Sequence, residues 1–248
     1  MTFEIILLFG VLFVLFFVGF PISYSILGAS VIFIVITKVS ALINIVQRVY
    51  IGLNSFTLLA IPLFMLCGYI MEYATLSQRL VDWVQSIFGR VIGSTGVVTI
   101  IACTVFAALT GSGPATVAAI GAIMWPALLS SGYSKSTSAG IIACAGALGP
   151  IIPPSIGMIV YGSMMGVSVP KMFLAALVPG LLMAGGMVVV NVILSRTKWH
   201  LKKKDKKYTT KEKLIATWKA LPTLFLPIII LGGIYGGIFT PSEAGCVA

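Results

Sequence analysis

A chain of 248 residues that is 59% hydrophobic and only 9% charged reverses the balance of a soluble domain, in which about a quarter of residues carry charge. A globule of this size cannot hide so much apolar sequence, whereas a bilayer accepts it on helices of about 20 residues. The formal net charge of +10 does not make a nucleic-acid binder either, because the basic residues are not spread over one face with interleaved aromatic residues.

The first elements read as spans. Met1 to Phe20 lacks a basic start and a small-residue cleavage site, so it is expected to stay as a span rather than leave as a signal peptide. Apolar runs at residues 3–18 and 22–37 are separated by Gly19-Phe20-Pro21 and make either a tight helical hairpin or one long kinked helix. Residues 54–73 form a span interrupted by Pro62. Residues 78–91 place Leu80, Val84, Ile87 and Val91 on one side and Arg79, Asp82 and Arg90 off it, which predicts an interfacial helix lying flat.

Two unusual regions follow. In residues 94–131 two apolar helical runs meet at Thr110-Gly111-Ser112-Gly113-Pro114, a strong break followed by a proline suited to the first helical position. Residues 137–165 are broken in the middle by Gly149-Pro150-Ile151-Ile152-Pro153-Pro154-Ser155, with Ser155 placed to cap the second half. A plain span at 171–195, a basic loop at 196–219 and a span at about 221–239 complete the apolar part. The loop holds ten Lys or Arg against Asp205 and Glu212, the mark of a cytoplasmic segment. Thr240-Pro241-Ser242-Glu243 has Thr at N-cap, Pro at N1 and Glu at N3, a capping box opening a helix that the 248 residues are not expected to contain.

With the basic loop inside and residues 94–131 entering and leaving by one face, Arg79, Arg90 and Lys135 also fall inside. Only Lys38, Arg48 and Lys171 then fall outside. The charge rule therefore favours a re-entrant hairpin with its tip near mid-bilayer and both ends cytoplasmic.

Broken helices at membrane depth persist only where they are buried in protein or line a polar cavity. Their freed carbonyls can bind a cation, and their helix N-termini can attract an anion. One such break is explained by a proline kink filling a packing defect; two, both rich in Gly, Pro and Ser, point to a transport site. Glu4, Glu72, Asp82, Asp205, Glu212 and Glu243 all fall at span ends or in loops, so no carboxylate stands mid-span to relay protons. A proton carrier is disfavoured, and sodium suits the neighbourhoods of Ser112 and Ser155. Cys67, Cys103, Cys144 and Cys246 have no Cys-x-x-Cys spacing and read as packing residues. His200 reads as a solvated loop residue. Paired carboxylates, a nucleophile with its base, a phosphate-cradling loop and metal-ligand spacing are all missing, so the expectation is no enzyme and no cofactor.

Four motifs carry a resemblance: Leu59-Ala60-Ile61-Pro62-Leu63-Phe64, Gly111-Ser112-Gly113-Pro114-Ala115-Thr116, Gly149-Pro150-Ile151-Ile152-Pro153-Pro154-Ser155 and Gly237-Ile238-Phe239-Thr240-Pro241-Ser242-Glu243-Ala244. In order and spacing they resemble the large, DctM- or SiaM-like membrane subunit of tripartite ATP-independent periplasmic (TRAP) transporters, over the whole chain and as its N-terminal half. The resemblance implies an all-α polytopic membrane protein: one inverted repeat of an elevator-type ion transporter, with a re-entrant hairpin and a broken transmembrane helix. It implies a sodium symporter of the bacterial inner membrane that imports organic acids, C4-dicarboxylates or sialic-acid-like carboxylates. The implied partners are a small four-helix membrane subunit, a periplasmic substrate-binding protein and the C-terminal half of the large subunit, with residues 240–248 opening a second repeat. By the same resemblance Thr110, Gly111, Ser112, Gly113, Gly149, Pro150, Pro153 and Ser155 surround a sodium ion. Ser112, Pro114, Thr116, Pro154 and Ser155 then form half of the substrate site. The tip reads Gly-Ser-Gly-Pro-Ala-Thr where the family's common form is Gly-Ser-Ser-x-Ala-Asp, so no side-chain contribution carries over at Gly113. Another sodium/dicarboxylate or citrate symporter of the same broken-helix plan, or a non-functional membrane remnant, are the alternative readings.

Overall fold

The computed structural model describes residues 2–199, 201 and 208–248. His200 and the basic run 202–207 lie outside the described residues. The chain divides into two compact units, Met1–Ser55 and Phe56–Ala248. All regular elements among the described residues are helical, and four helical stretches are long and apolar enough to cross a membrane: Phe56–Tyr73, Gly113–Ser130, Val169–Thr197 and Thr210–Tyr235. The protein is an all-α, multi-pass membrane protein.

In the first unit, α1 (Thr2–Val18) and α2 (Ile22–Thr37) are separate helices that pack on each other. Of the two alternatives left open by the sequence, the structure takes the helical hairpin. Gly19 turns the chain at φ +92°, a region open to glycine, and Ser25 Oγ donates to Pro21 O at 3.2 Å as α2 begins. The connection that follows holds a helix that the sequence reading left unassigned, α3 (Ile43–Leu53). Its polar stripe of Asn44, Gln47 and Arg48 lines a cleft with Ser23 and Ser30 of α2. That stripe interrupts the apolar run by which spans are found.

The second unit begins with a 3-10 turn, Phe56–Leu59, which runs into α4 (Ala60–Tyr73). Pro62 does not interrupt this helix: it is the third residue of α4, within the first turn, where a backbone N–H has no intrahelical acceptor to lose. Then come α5 (Leu76–Phe88), α6 (Ser94–Thr110), α7 (Gly113–Ser130), α8 (Lys135–Gly146), α9 (Ile156–Met165), α10 (Val169–Thr197), α11 (Thr210–Tyr235) and α12 (Pro241–Val247). Helix α6 is the centre, buried throughout residues 94–100 and packed on α5, α7, α8 and α10. Leu80, Val84, Val98, Phe106, Ile120 and Met124 fill the space around it. Phe64, Ile159, Phe173, Ile230 and Ala244 form a second core that joins α4, α9, α10, α11 and α12.

Three further boundaries differ from the sequence reading. The helix expected at 78–91 is Leu76–Phe88, and its apolar side is packed in protein: Leu80 and Val84 are fully buried where α5 meets α6 and α11, while Ile87 and Val91 stay exposed. The basic loop is shorter than 196–219, because α11 already begins at Thr210. There the Thr209 N–H donates to Glu212 Oε2 at 2.7 Å and starts the helix inside the charged segment. Helix α11 ends at Tyr235 rather than Phe239, where Gly237 takes φ +69°. The helix opened by Thr240 does form one short element. Thr240 Oγ1 accepts from the Glu243 N–H at 3.3 Å, and Glu243 Oε2 accepts from the Thr240 N–H at 2.8 Å, which holds the Glu243 carboxyl below its usual range. Ser242 Oγ then donates to Phe56 O at 2.8 Å and docks α12 beside α4.

Candidate functional site

Helices α6 and α7 run antiparallel as a hairpin whose two ends are built differently. At the base, the Tyr133 hydroxyl lies 3.0 Å from Gly93 O, 3.2 Å from Asn191 Oδ1 and 3.3 Å from Ser195 Oγ, all in the buried interior. Asn191 Nδ2 donates to Gly93 O at 3.1 Å. Gly93 and Gly96 leave room for this cluster, since a Cβ at either would collide with Asn191, Ser195 or Tyr133. Thr95 and Ser131 join the two arms directly, Oγ1 to Oγ at 2.7 Å.

At the tip, backbone meets backbone. Gly111, at φ +60°, ends α6 in the left-handed region, and Ser112 caps α7, its Oγ accepting from the Ala115 N–H at 3.5 Å. Pro114 is the second residue of α7 rather than the first. The loop between α8 and α9 lies directly against this tip. The Ile156 N–H donates to Gly111 O at 3.4 Å, and a Cβ on Gly149 would stand 2.6 Å from the Gly113 nitrogen and the Ser112 carbonyl carbon. A Cβ on Gly113 would stand 3.1 Å from Gly146 O and 3.4 Å from Pro150 Cδ. Any side chain at Gly149 would drive the two segments apart, which is the physical reason for glycine there. The Pro153–Pro154 peptide is cis, and both prolines are buried. Ser155 Oγ donates to Pro150 O at 2.6 Å and caps α9 by accepting from the Met158 N–H at 3.4 Å.

Four helix ends thus converge: the C-termini of α6 and α8 and the N-termini of α7 and α9. Each C-terminus presents about half a negative charge and each N-terminus about half a positive one. The arrangement can hold a cation on carbonyl and hydroxyl oxygens and an anion at the helix starts.

The family model of the tripartite ATP-independent periplasmic transporter, DctM component, matches residues 9–248. The chain belongs to the DctM family of TRAP transporters. It is 45% identical over 204 residues to a TRAP transporter large permease protein of Haemophilus influenzae, covering 82% of this chain and 50% of that one. It is 41% identical over 232 residues to the C4-dicarboxylate TRAP transporter large permease protein DctM of Vibrio cholerae, covering 93% and 51%. It is 38% identical over 247 residues to the isethionate TRAP transporter permease protein DctMQ of Oleidesulfovibrio alaskensis, covering 97% and 38%. The chain spans about half the length of the first two. The family is one of transporter components, so the reading as a symporter of another family falls.

A cavity of about 480 Å³ opens beside the hairpin tip of this DctM chain, against α4. Of the residues singled out by the sequence, Thr110, Ser112 and Pro114 line it. Thr116 does not: it is fully buried, and its hydroxyl donates to Ser112 O at 2.8 Å, which braces the tip from behind. Gly111, Gly113, Gly149, Pro150, Pro154 and Ser155 meet one another around the tip but stand off the cavity wall, as does Pro153. The sequence reading missed the α4 side. Gly68 lets α4 approach so closely that its Cβ would stand 2.9 Å from Thr110 Cγ2, and Tyr69 and Glu72 continue the wall. A glycine inside an apolar span is the available signal, since small residues mark close helix contacts in membranes. Glu72, a span-end residue in the sequence, also lines the cavity. Cys67 and Cys103 pack as expected, whereas Cys144 and Cys246 are exposed.

Proposed function

We propose that this DctM chain builds one sodium site and half of the substrate site of an importer of small organic acids. The observation that carries this reading is the interlocking of the two helix breaks, Gly111-Ser112-Gly113 against Gly146, Gly149 and Pro154. The sodium ion would be held by Ser112, Ser155 and backbone oxygens from Thr110 to Gly113 and from Gly149 to Pro153. The carboxylate would meet the start of α7 from the cavity wall at Ser112 and Pro114. The names of the relatives, for C4-dicarboxylate and for isethionate, are those of small anions, which suits helix N-termini. The working transporter would lie in the bacterial inner membrane, with a small four-helix membrane subunit, a periplasmic binding protein that delivers substrate, and the remaining half of the large subunit. Transport would be an elevator motion against that scaffold. The hairpin would be re-entrant with both ends cytoplasmic. This is supported by the 3.0 Å approach of Tyr133 to Gly93, which brings the two ends of the hairpin together, and by the basic residues that flank those ends, Arg90 and Lys135.

The test is the sodium dependence of uptake by the complete transporter. Ser112→Ala and Ser155→Ala should each raise the sodium concentration for half-maximal uptake at least several-fold, at protein levels near wild type. Ser30→Ala, in the unit of α1 to α3, should leave it alone. If both variants keep the wild-type sodium curve while abundance falls, the serines act only as caps, each contributing about 1 kcal/mol of stability, and the sodium assignment to these side chains is wrong.

A further inference from the structure

We propose that a groove between α8 and α10 binds the acyl chain of an anionic glycerophospholipid, with the headgroup phosphate held by Lys135 and Lys198. The groove has a volume of about 410 Å³ and lies away from the hairpin tip, lined by Gly140, Ile141 and Cys144 of α8, Val190 and Leu194 of α10, and Trp199. It follows successive turns of both helices, so its length suits a chain rather than a compact solute. A Cβ at Gly140 would meet nothing within 4 Å, so the space beside it is open.

One end of the groove is basic. Trp199 stacks edge-on against Tyr133 with ring centroids 5.3 Å apart, and Leu201 lies against Gly132, which brings the end of α10 to the start of α8. Lys135 is the first residue of α8 and Lys198 follows the last of α10, both exposed. The N-terminus of α8 adds positive charge of its own. An apolar slot capped by lysines and an aromatic ring matches a phospholipid whose phosphate is anionic: the tail takes the groove, and the lysines extend to the headgroup.

Brominated lipid tests this directly, since bromine on an acyl chain quenches a tryptophan in contact with it. The full chain carrying Trp83→Phe, Trp125→Phe and Trp218→Phe leaves Trp199 as reporter. In phosphatidylcholine vesicles titrated with dibrominated lipid, Trp199 should be quenched at a much lower fraction of phosphatidylglycerol than of phosphatidylcholine. Lys135→Gln and Lys198→Gln should each reduce that preference roughly fivefold, and Gly140→Leu, which fills the groove, should remove the high-affinity quenching by phosphatidylglycerol. Equal quenching by the two lipids would overturn the proposal, and so would the absence of quenching because a second copy of the chain covers the groove. A preference that survives both lysine changes would overturn the headgroup assignment.

Discussion

The two ends of the α6–α7 hairpin use opposite means to stay in place. The base is a knot of side chains in the buried interior, with Tyr133 and Asn191 donating to Gly93 O and Ser195 Oγ against the Tyr133 hydroxyl. The tip is held by close backbone approach across glycines, and Thr110 and Ser112 beside it line an open cavity. A side-chain knot satisfies its own polar groups and leaves nothing for a ligand. Glycine packing of two helix breaks gathers carbonyls, hydroxyls and helix ends beside that cavity, where a bound group can reach them. On the proposed function, anchoring and binding are separated along one hairpin.

That contrast can be broken at either end. The largest effect is expected from Gly149→Val at the tip. The added side chain must displace the Ser112–Gly113 backbone, which it would approach to 2.6 Å already at Cβ. Overpacking of this kind destabilises by about 1–3 kcal/mol, and because it moves the proposed ligands apart, sodium-driven uptake should be lost even where the protein still inserts. Retained uptake with a normal sodium curve would show that the two breaks need not touch.

A smaller and different effect is expected at the base. Asn191→Leu removes the amide that donates to Gly93 O and accepts from Tyr133. Polar contacts between membrane helices are worth about 1–2 kcal/mol at most, so stability in detergent should fall by about that amount, read as a lower unfolding temperature, while the sodium concentration for half-maximal uptake stays at the wild-type value. A shifted sodium curve with unchanged stability would mean that the base, too, belongs to the binding machinery.

The helix breaks were legible because Gly, Pro and Ser interrupt apolar runs at 110–114 and 149–155. Capping by Ser155 and Thr240 followed from their positions before each helix. What local pattern could not give is which surfaces meet. Nothing in the spacing says that Gly149 faces Ser112, that Gly68 faces Thr110, or that Thr116 turns inward while Glu72, 44 residues earlier, turns toward the cavity. Those are long-range packing facts. Helix α3 and the early start of α11 were missed for a local reason: polar or charged residues sit in a helix where the apolar-run criterion reads a loop.

The most direct measurement is equilibrium binding of radioactive sodium to the complete, purified large subunit, with Ser112→Ala and Asn191→Leu compared against wild type. Separation of binding from anchoring predicts that Ser112→Ala weakens sodium binding at least several-fold and that Asn191→Leu leaves it unchanged. Equal sodium affinity in the wild type and Ser112→Ala, or a loss confined to Asn191→Leu, would contradict it.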